Sequence, residues 1–473
     1  MSTQDLLQKS FKVIALGSSI FNQDLAAQKV PYTYLDWQPP AGGNPLWISA
    51  LKQLQSFETQ ITQANQTAVN RIKQAEARLI DIQPAVAVVP GMHKHLILHA
   101  GPPIAYERMA GPMQGAVMGA LIYEGLAHTT EEADALARSG NISFDSAHHH
   151  QAVGPMAGII SASMPVHVLE NPVHGNRAFC TVNEGLGKVL RYGANSSEVI
   201  ERLRWIESVY QPTLAAALRG SEGIDVKSLI AQALHMGDEC HNRNKASTAL
   251  FFREITPYIV ACEASAQAKQ ESLAFIQNNE HYFLNLSMPY AKCALDTARD
   301  IPYSTVLTAM SRNGVDFGIQ IGHSKTWYTA PAEYVKGLMF PGFQEDDAAP
   351  DIGDSAITET VGIGGFAMGG APAIVQFVGG EVAQALAYSK AMHEITVDRH
   401  NVFTLPPLDF SPTACGIDLR KVIETGILPI INTGMAHKEA GVGQVGAGLV
   451  SPPMACFDQA LMALAEELSE VKR

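Results

Sequence analysis

The densest group of chemically able side chains lies at residues 233–244, Ala-Leu-His-Met-Gly-Asp-Glu-Cys-His-Asn-Arg-Asn. The segment sits in a helical pattern running from Leu229 to Thr248. At about 100° per residue, His235, Asp238, Glu239 and Asn242 fall on one arc, with Arg243 at its edge. Apolar residues flank this stripe on both sides, so it is expected to face protein rather than bulk water. Charge in such surroundings is costly unless paired or used. Two readings follow: a site for acid–base and anion chemistry, or a structural hydrogen-bond network between domains.

Three further clusters carry donors, acceptors or exposed backbone. Ser143-Phe-Asp-Ser-Ala-His148-His149-His150 offers His149 for proton transfer or anion contact. Adjacent histidines on a strand point to opposite faces, which weakens a shared metal reading and leaves structural hydrogen bonding open. In Asp351-Ile-Gly-Asp-Ser-Ala-Ile-Thr-Glu359, the carboxylates of Asp351, Asp354 and Glu359 are candidate ligands for Mg²⁺. Asp354 and Ser355 could equally cap a helix. Asn432-Thr-Gly-Met-Ala-His437-Lys438 leads into Gly441, Gly443 and Gly446, which spell G-x-G-x-x-G away from the strand end. A backbone nest for an anion beside His437 and Lys438 competes here with glycines serving turns and close packing. Ser311-Arg312-Asn313-Gly314 reads as a turn that offers one guanidinium to an anion, or as a surface arginine.

The elements that must position these groups are α/β in pattern. Lys12–Leu16 and Pro31–Trp37 read as strands around a helix at Phe21–Gln28, a Rossmann-like opening assigned to residues 1–90. Only Gly17 follows the first strand, so the dinucleotide fingerprint is absent and no NAD is expected. Leu46–Leu79 reads as mostly helical, and Ala85–Val89 as a strand between Pro84 and Pro90. Residues 91–194 and 285–473 form a mixed α/β core. Within it, Gly111, Gly115 and Gly119 mark a helix packed tightly on another backbone. Residues 195–284 read as a helical insertion.

Composition bounds the function. Among 473 residues, 33 basic side chains face 46 acidic ones, for a net charge of −13, which argues against a nucleic-acid partner. Charged residues are only 17% and hydrophobic residues 47%, so much surface must be covered by core or by other subunits. No apolar run reaches the roughly 20 residues of a membrane span. Met1-Ser-Thr-Gln-Asp lacks the features of a signal peptide. The 6 cysteines are widely spaced, as in reduced cytoplasmic proteins. Residues alone thus point to a cytoplasmic α/β enzyme, or enzyme subunit, acting on a small anion.

The runs His99-Ala-Gly-Pro-Pro, Ala152-Val-Gly-Pro-Met-Ala-Gly, Met236 to Asn244, Asp351 to Thr360 and Gly441 to Gly448 resemble a bacterial family long known only as a domain of unknown function. One branch of it is similar to the AllG subunit of oxamate carbamoyltransferase, found beside FdrA-like proteins in allantoin breakdown. The resemblance implies a reaction of oxalurate with phosphate to give oxamate and carbamoyl phosphate. It also implies an oligomeric complex with an FdrA-like subunit. Anionic substrates would then engage Arg243, Arg312, Lys438 and the Gly441–Gly448 loop. His235, His241 or His149 would manage the amide proton, with Asp238 and Glu239 beside them. Members often carry cysteine just before the histidine run, where this chain has Ala147. Alternatives are a non-catalytic assembly subunit, or an enzyme for another small acyl or carbamoyl substrate.

Overall fold

The computed structural model describes residues 12–35, 37 and 39–470, with the backbone only at residue 377. The N-terminal residues 1–5, read above for targeting features, lie outside the described residues. The chain is mixed α/β, with six sheets of two to four strands among the described residues. No described helix is long and apolar enough to cross a membrane.

The opening β-α-β order is present: Val13–Leu16 pairs in parallel with Tyr32–Leu35 around the helix Asn22–Ala27. This pair remains a two-stranded sheet, and its helix buries none of its side chains. The next strand, Arg78–Pro84, belongs instead to an antiparallel sheet with Pro165–Asn171, Asn176–Thr181 and Ile224–Asp225. Ala85–Val89, expected as a strand, begins with a one-turn helix at Ala85–Val88. Its alternating small and β-branched residues suit either state, and packing decides. Leu46–Leu79 divides into helices Pro45–Leu54 and Glu58–Gln74 before the strand begins at Arg78.

Residues 195–284 are mostly helical, with a short strand at Ile224–Asp225 and loops between the helices, the longest at 236–244. Their apolar faces pack with Arg78–Pro84 and the helix Leu284–Asp296 into one large core. A second core gathers around the antiparallel strands Leu307–Asn313 and Asp316–Ile321 and the C-terminal helix Met454–Glu470. Ile431–Ala436 and Gln444–Val450 pair antiparallel, and Lys336–Met339 adds to the outer edge.

The spaced glycines act by close approach. A Cβ on Gly115 would lie 2.5 Å from the Gly193 carbonyl oxygen, and one on Gly119 would lie 2.4 Å from Leu190. The helix Gly111–Tyr123 therefore presses directly on residues 190–195. The same constraint governs Gly101, at φ +82°, where a Cβ would meet the Arg312 carbonyl carbon at 2.5 Å. By contrast Gly140, at φ +79°, has nothing within 4 Å of such an atom.

This contrast sets a paired prediction. Gly140→Ala should lower stability by about 1 kcal/mol, the left-handed backbone term alone. Gly101→Ala should cost at least about 3 kcal/mol, because overpacking adds to that term. Denaturant midpoints of the two variants would measure the difference, and equal losses would refute the close-approach argument.

Candidate active site

The 233–244 cluster is a loop, not a helix face. The helix Val226–His235 ends in a Schellman motif: Asp238 N donates to Ala233 O at 3.0 Å, and Gly237 N to Leu234 O at 3.3 Å. Gly237 takes φ +77°, which a glycine adopts without strain. A new helix starts at Lys245. The arc drawn from helical spacing is thereby broken, and the two acids serve the loop backbone. Asp238 accepts from Cys240 N at 2.9 Å and from Ser247 N at 2.9 Å, at the start of the second helix. Glu239 is fully buried and accepts from the backbone N–H groups of His241, Asn242 and Arg243 and from Asn432 Nδ2. Burial and neighbouring Asp238 push its carboxyl up to about 8, against the pull of those donors.

The loop turns His241 toward Glu359, whose Oε1 lies 2.7 Å from Nδ1. Glu359 also accepts from Gly365 N at 2.7 Å and Thr358 Oγ1 at 2.9 Å. It is thus held as an acceptor, so Nδ1 carries the proton and Nε2 is the nitrogen left to a ligand. His241 and Asn242 line a pocket of about 320 Å³ with Arg191, His281, Ser355 and Thr433. Pro155, Met156, Tyr192, Leu284, Gly434 and Gln444 complete its wall.

Arg312 and Asp351 stand behind this wall. Arg312 is fully buried on the strand Leu307–Asn313, not on an exposed turn. Its Nε and Nη2 grip Asp351 at 2.6 and 2.7 Å, a bidentate pair. Nη1 reaches Gly353 O at 2.9 Å and Ser355 Oγ at 3.3 Å, and Nη2 reaches Thr433 Oγ1 at 3.0 Å. Its donors are committed inside the protein, so it holds two hydroxyls of the pocket wall and meets no ligand directly. Because Ser355 accepts from the guanidinium, its own proton is available to the pocket, whereas Thr433 Oγ1 donates to Gly434 O at 3.5 Å.

Asp354 is also fully buried and serves as a hub. It accepts from Gly101 N at 2.8 Å, Gly154 N at 2.9 Å and Ser311 Oγ, while His148 Nε2 lies 3.2 Å away. Burial alone would push its carboxyl up; His148, Ser311 and the amides outweigh this and hold it below the ordinary value. Asp351, Asp354 and Glu359 are therefore separately engaged by Arg312, the His148 hub and His241. Among the described residues, no group of three His, Cys, Asp or Glu is placed to hold a metal ion. Asp354 does not cap the helix Ile357–Val361 with its side chain either.

The remaining expected residues lie elsewhere. His235 is exposed at its helix end, with Nε2 2.8 Å from Thr404 Oγ1. His149 donates to Asp145 at 2.8 Å and accepts from Trp327 Nε1 at 3.0 Å, on the outer surface. Asn313 closes its own turn, accepting from Val315 N and Asp316 N. His437 Nδ1 accepts from Glu439 N at 2.9 Å, and Lys438 Nζ donates to Asp346 O at 2.7 Å. Gly441 and Gly443 sit in the turn between two paired strands, and Gly446 lies within the second strand. Gly441 N donates to Tyr192 O, so the three glycines shape a hairpin rather than an anion nest. A Cβ on Gly446 would meet Leu338 O at 2.6 Å, which explains that glycine by close strand approach. Arg243 gives its backbone N–H to Glu239 and does not line the pocket.

Sequence reasoning missed Arg191 and His281. Arg191 is 7% exposed and stacks over Tyr192 at 5.1 Å, with Nη2 donating to Gly185 O at 2.7 Å. Its buried Nε has no hydrogen-bond partner, and neither does Asn242 Nδ2. Buried donors without acceptors are rare, so two on one small pocket mark a place for an anionic or carbonyl-bearing ligand. The one available signal for Arg191 was a cation within Val189-Leu-Arg-Tyr, an otherwise apolar run.

Comparison with known proteins adds a family. The model describing "Oxamate carbamoyltransferase subunit AllG" matches residues 142–355. The uncharacterized protein YahG of Escherichia coli (strain K12) is 46% identical over 98% of this chain and 99% of its own. The chain belongs to the AllG family. The oxamate carbamoyltransferase subunit AllG of Escherichia coli (strain K12) is 47% identical over 87% of this chain and 99% of its own. A crystal structure of a conserved protein of unknown function from Enterococcus faecalis V583 superposes with a TM-score of 0.85 at 50% identity, covering 86% of this chain and 98% of that one. The loop 236–244 of this AllG-family chain falls inside the stretch matched by the family model, as do Arg191, His281 and Ser355.

His281 supplies a test of burial at the pocket. Burial, then the charge of Arg191, lowers it to about 4 from 6.5. The unfolded chain takes up this proton near pH 6.5 and the folded chain only near 4, so stability present above 6.5 is lost as pH falls toward 4. His281→Gln should remove roughly one proton from the pH dependence of unfolding across that window. Urea titrations at pH 4.5, 5.5 and 7 would show it, and an unchanged slope would contradict the buried placement.

Proposed function

We propose that this chain is a subunit of an oxamate carbamoyltransferase-like enzyme and that the His241 pocket holds the carboxylate-bearing substrate. The observation that carries this reading is the pair of unpartnered donors, Arg191 Nε and Asn242 Nδ2, on the same pocket as His241. Oxalurate and oxamate join a carboxylate to an amide, and the pocket offers a cation, an amide donor, two hydroxyls and an imidazole. Arg191 takes the carboxylate. Asn242 and Ser355 donate to carbonyl oxygens, on which negative charge grows during attack.

In the phosphorolytic direction a phosphate oxygen bonds to the carbamoyl carbon, and the bond from that carbon to the oxamate nitrogen breaks. His241 Nε2, unprotonated at the start, takes the proton of the attacking hydrogen phosphate and passes it to the departing nitrogen, which leaves as the oxamate amide. Glu359 keeps Nδ1–H in place and stabilises the imidazolium before transfer. In the opposite direction the same nitrogen acts as base. On this reading the chain works in the cytoplasm, in allantoin nitrogen breakdown, within an oligomer that includes an FdrA-like subunit. The name of the Escherichia coli relative as a subunit supports the need for partners.

An assembly role is favoured by a separate observation. Ile14, Leu16, Ile20, Phe21 and Trp37 of the N-terminal β-α-β unit are exposed, Ile20 by 75%. Such an apolar surface suits coverage by another subunit. Catalysis and assembly are separable by substitution. His241→Gln should lower carbamoyl transfer to oxamate by about 10²–10⁴-fold while the complex with the FdrA-like partner stays intact. It should also keep the thermal stabilisation by oxamate, since Arg191 and Asn242 remain. Full turnover in His241→Gln would remove the catalytic reading and leave the assembly role.

A further inference from the structure

A second cavity adjoins the first. It measures about 500 Å³, mouth included, and shares Arg191 and Pro155 with the His241 pocket. Its walls are largely aliphatic: Ile159, Met164, Val182, Leu190, Leu203 and Ile206. All six are at least nine-tenths buried in the protein. Nothing in the carbamoyl reaction uses this volume, and phosphate has no favourable contact with such walls.

Arg191 is the charged group common to both spaces. Its backbone N–H and that of Leu190 donate to Glu184, at 3.3 and 2.9 Å, so the one carboxylate lining the second cavity is turned onto the chain. Among the described residues no direct ion pair joins Glu184 to the Arg191 guanidinium, although burial pushes the Glu184 carboxyl up and the guanidinium's charge draws it down against this, and Arg191 Nε is buried without an acceptor. A buried cation with an unused donor, on the wall of a largely aliphatic cavity, is complementary to one chemical class.

We propose that the second cavity is a binding site for a short aliphatic monocarboxylate, its carboxylate on Arg191 and its tail among Ile159, Leu190 and Leu203. Because Arg191 also serves the His241 pocket, such an acid and oxamate compete for one guanidinium. The site thereby links occupancy by an acyl compound to carbamoyl transfer, and it stands whether or not oxamate is the substrate.

The experiment uses the full chain with propanoate, butanoate, pentanoate and pentanamide, read by calorimetry and thermal shift. Each added methylene should tighten binding about fourfold, and pentanoate should bind at least about tenfold more tightly than pentanamide. Leu203→Trp should abolish the pentanoate response, while oxamate still stabilises that variant through the first pocket. Pentanoate should raise the apparent Kd of oxamate for the unmodified chain. Affinity independent of chain length, equal binding of acid and amide, or no binding at all would overturn the assignment. If Leu203→Trp does not fold, the length series and the acid–amide comparison decide by themselves. Failure of oxamate alone to bind would count against the carbamoyltransferase reading and leave the monocarboxylate site to its own series.

Discussion

The carboxylate of Asp354 is the point on which the site's architecture rests. It is fully buried, and its oxygens are met by two loop amides, a serine hydroxyl and the edge of His148. Those groups come from residues 101, 148–154 and 311, three segments distant in sequence. An unpaired carboxylate in this place would be strongly destabilising. The segments must therefore arrive together or not at all. Arg312 repeats the device one residue along, binding Asp351 with two parallel hydrogen bonds and tying Gly353, Ser355 and Thr433 to the same strand. Buried ion pairs of this kind contribute little net stability, yet breaking one is expensive. Their effect here is positional, since they fix the hydroxyls that face the pocket.

His241 reaches the pocket by the opposite route, from an irregular segment. Gly237 stops one helix and Asp238 starts the next, so eight or so residues are free to curl around Glu239. That carboxyl collects three successive backbone amides and Asn432, giving the loop a rigid centre. Loops that carry chemistry are commonly held this way by a scaffold. The Glu359–His241 hydrogen bond then decides which imidazole nitrogen is left for a ligand.

The residue types of the site were readable in the chain, while their grouping was only partly so. His241 and Asn242 belong to the motif that stood out first, and both line the pocket. Glu359 was read as a metal ligand and proves to orient His241, because carboxylate chemistry is the same in both roles and only the neighbour differs. Arg312 looked like a turn residue, since Asn313-Gly314 follow it; the turn is there, but Arg312 lies inside the strand, which runs on to Asn313. The helical arc at 233–244 failed for a local reason that was legible: Gly237 before Asp238-Glu239 is a stop signal followed by side chains that compete for backbone amides. Gly441, Gly443 and Gly446 matched a phosphate-loop spacing by coincidence, since tight hairpins and close strands demand glycine for reasons unrelated to phosphate.

By itself the sequence determined the mixed α/β character, the tight packing of the Gly111–Tyr123 helix and, through its motif runs, the family. Each of these depends on local periodicity, on glycine spacing or on short contiguous patterns, which are properties of neighbours along the chain. The tertiary structure alone decided which charges are spent on architecture and which line the pocket. Arg312 and Asp354 are consumed by partners brought in from remote segments, whereas Arg191 is left with a donor unfilled between two cavities. A charged residue's role follows from the acceptors within about 3 Å of it, and for buried groups those acceptors are set by folding rather than by sequence proximity.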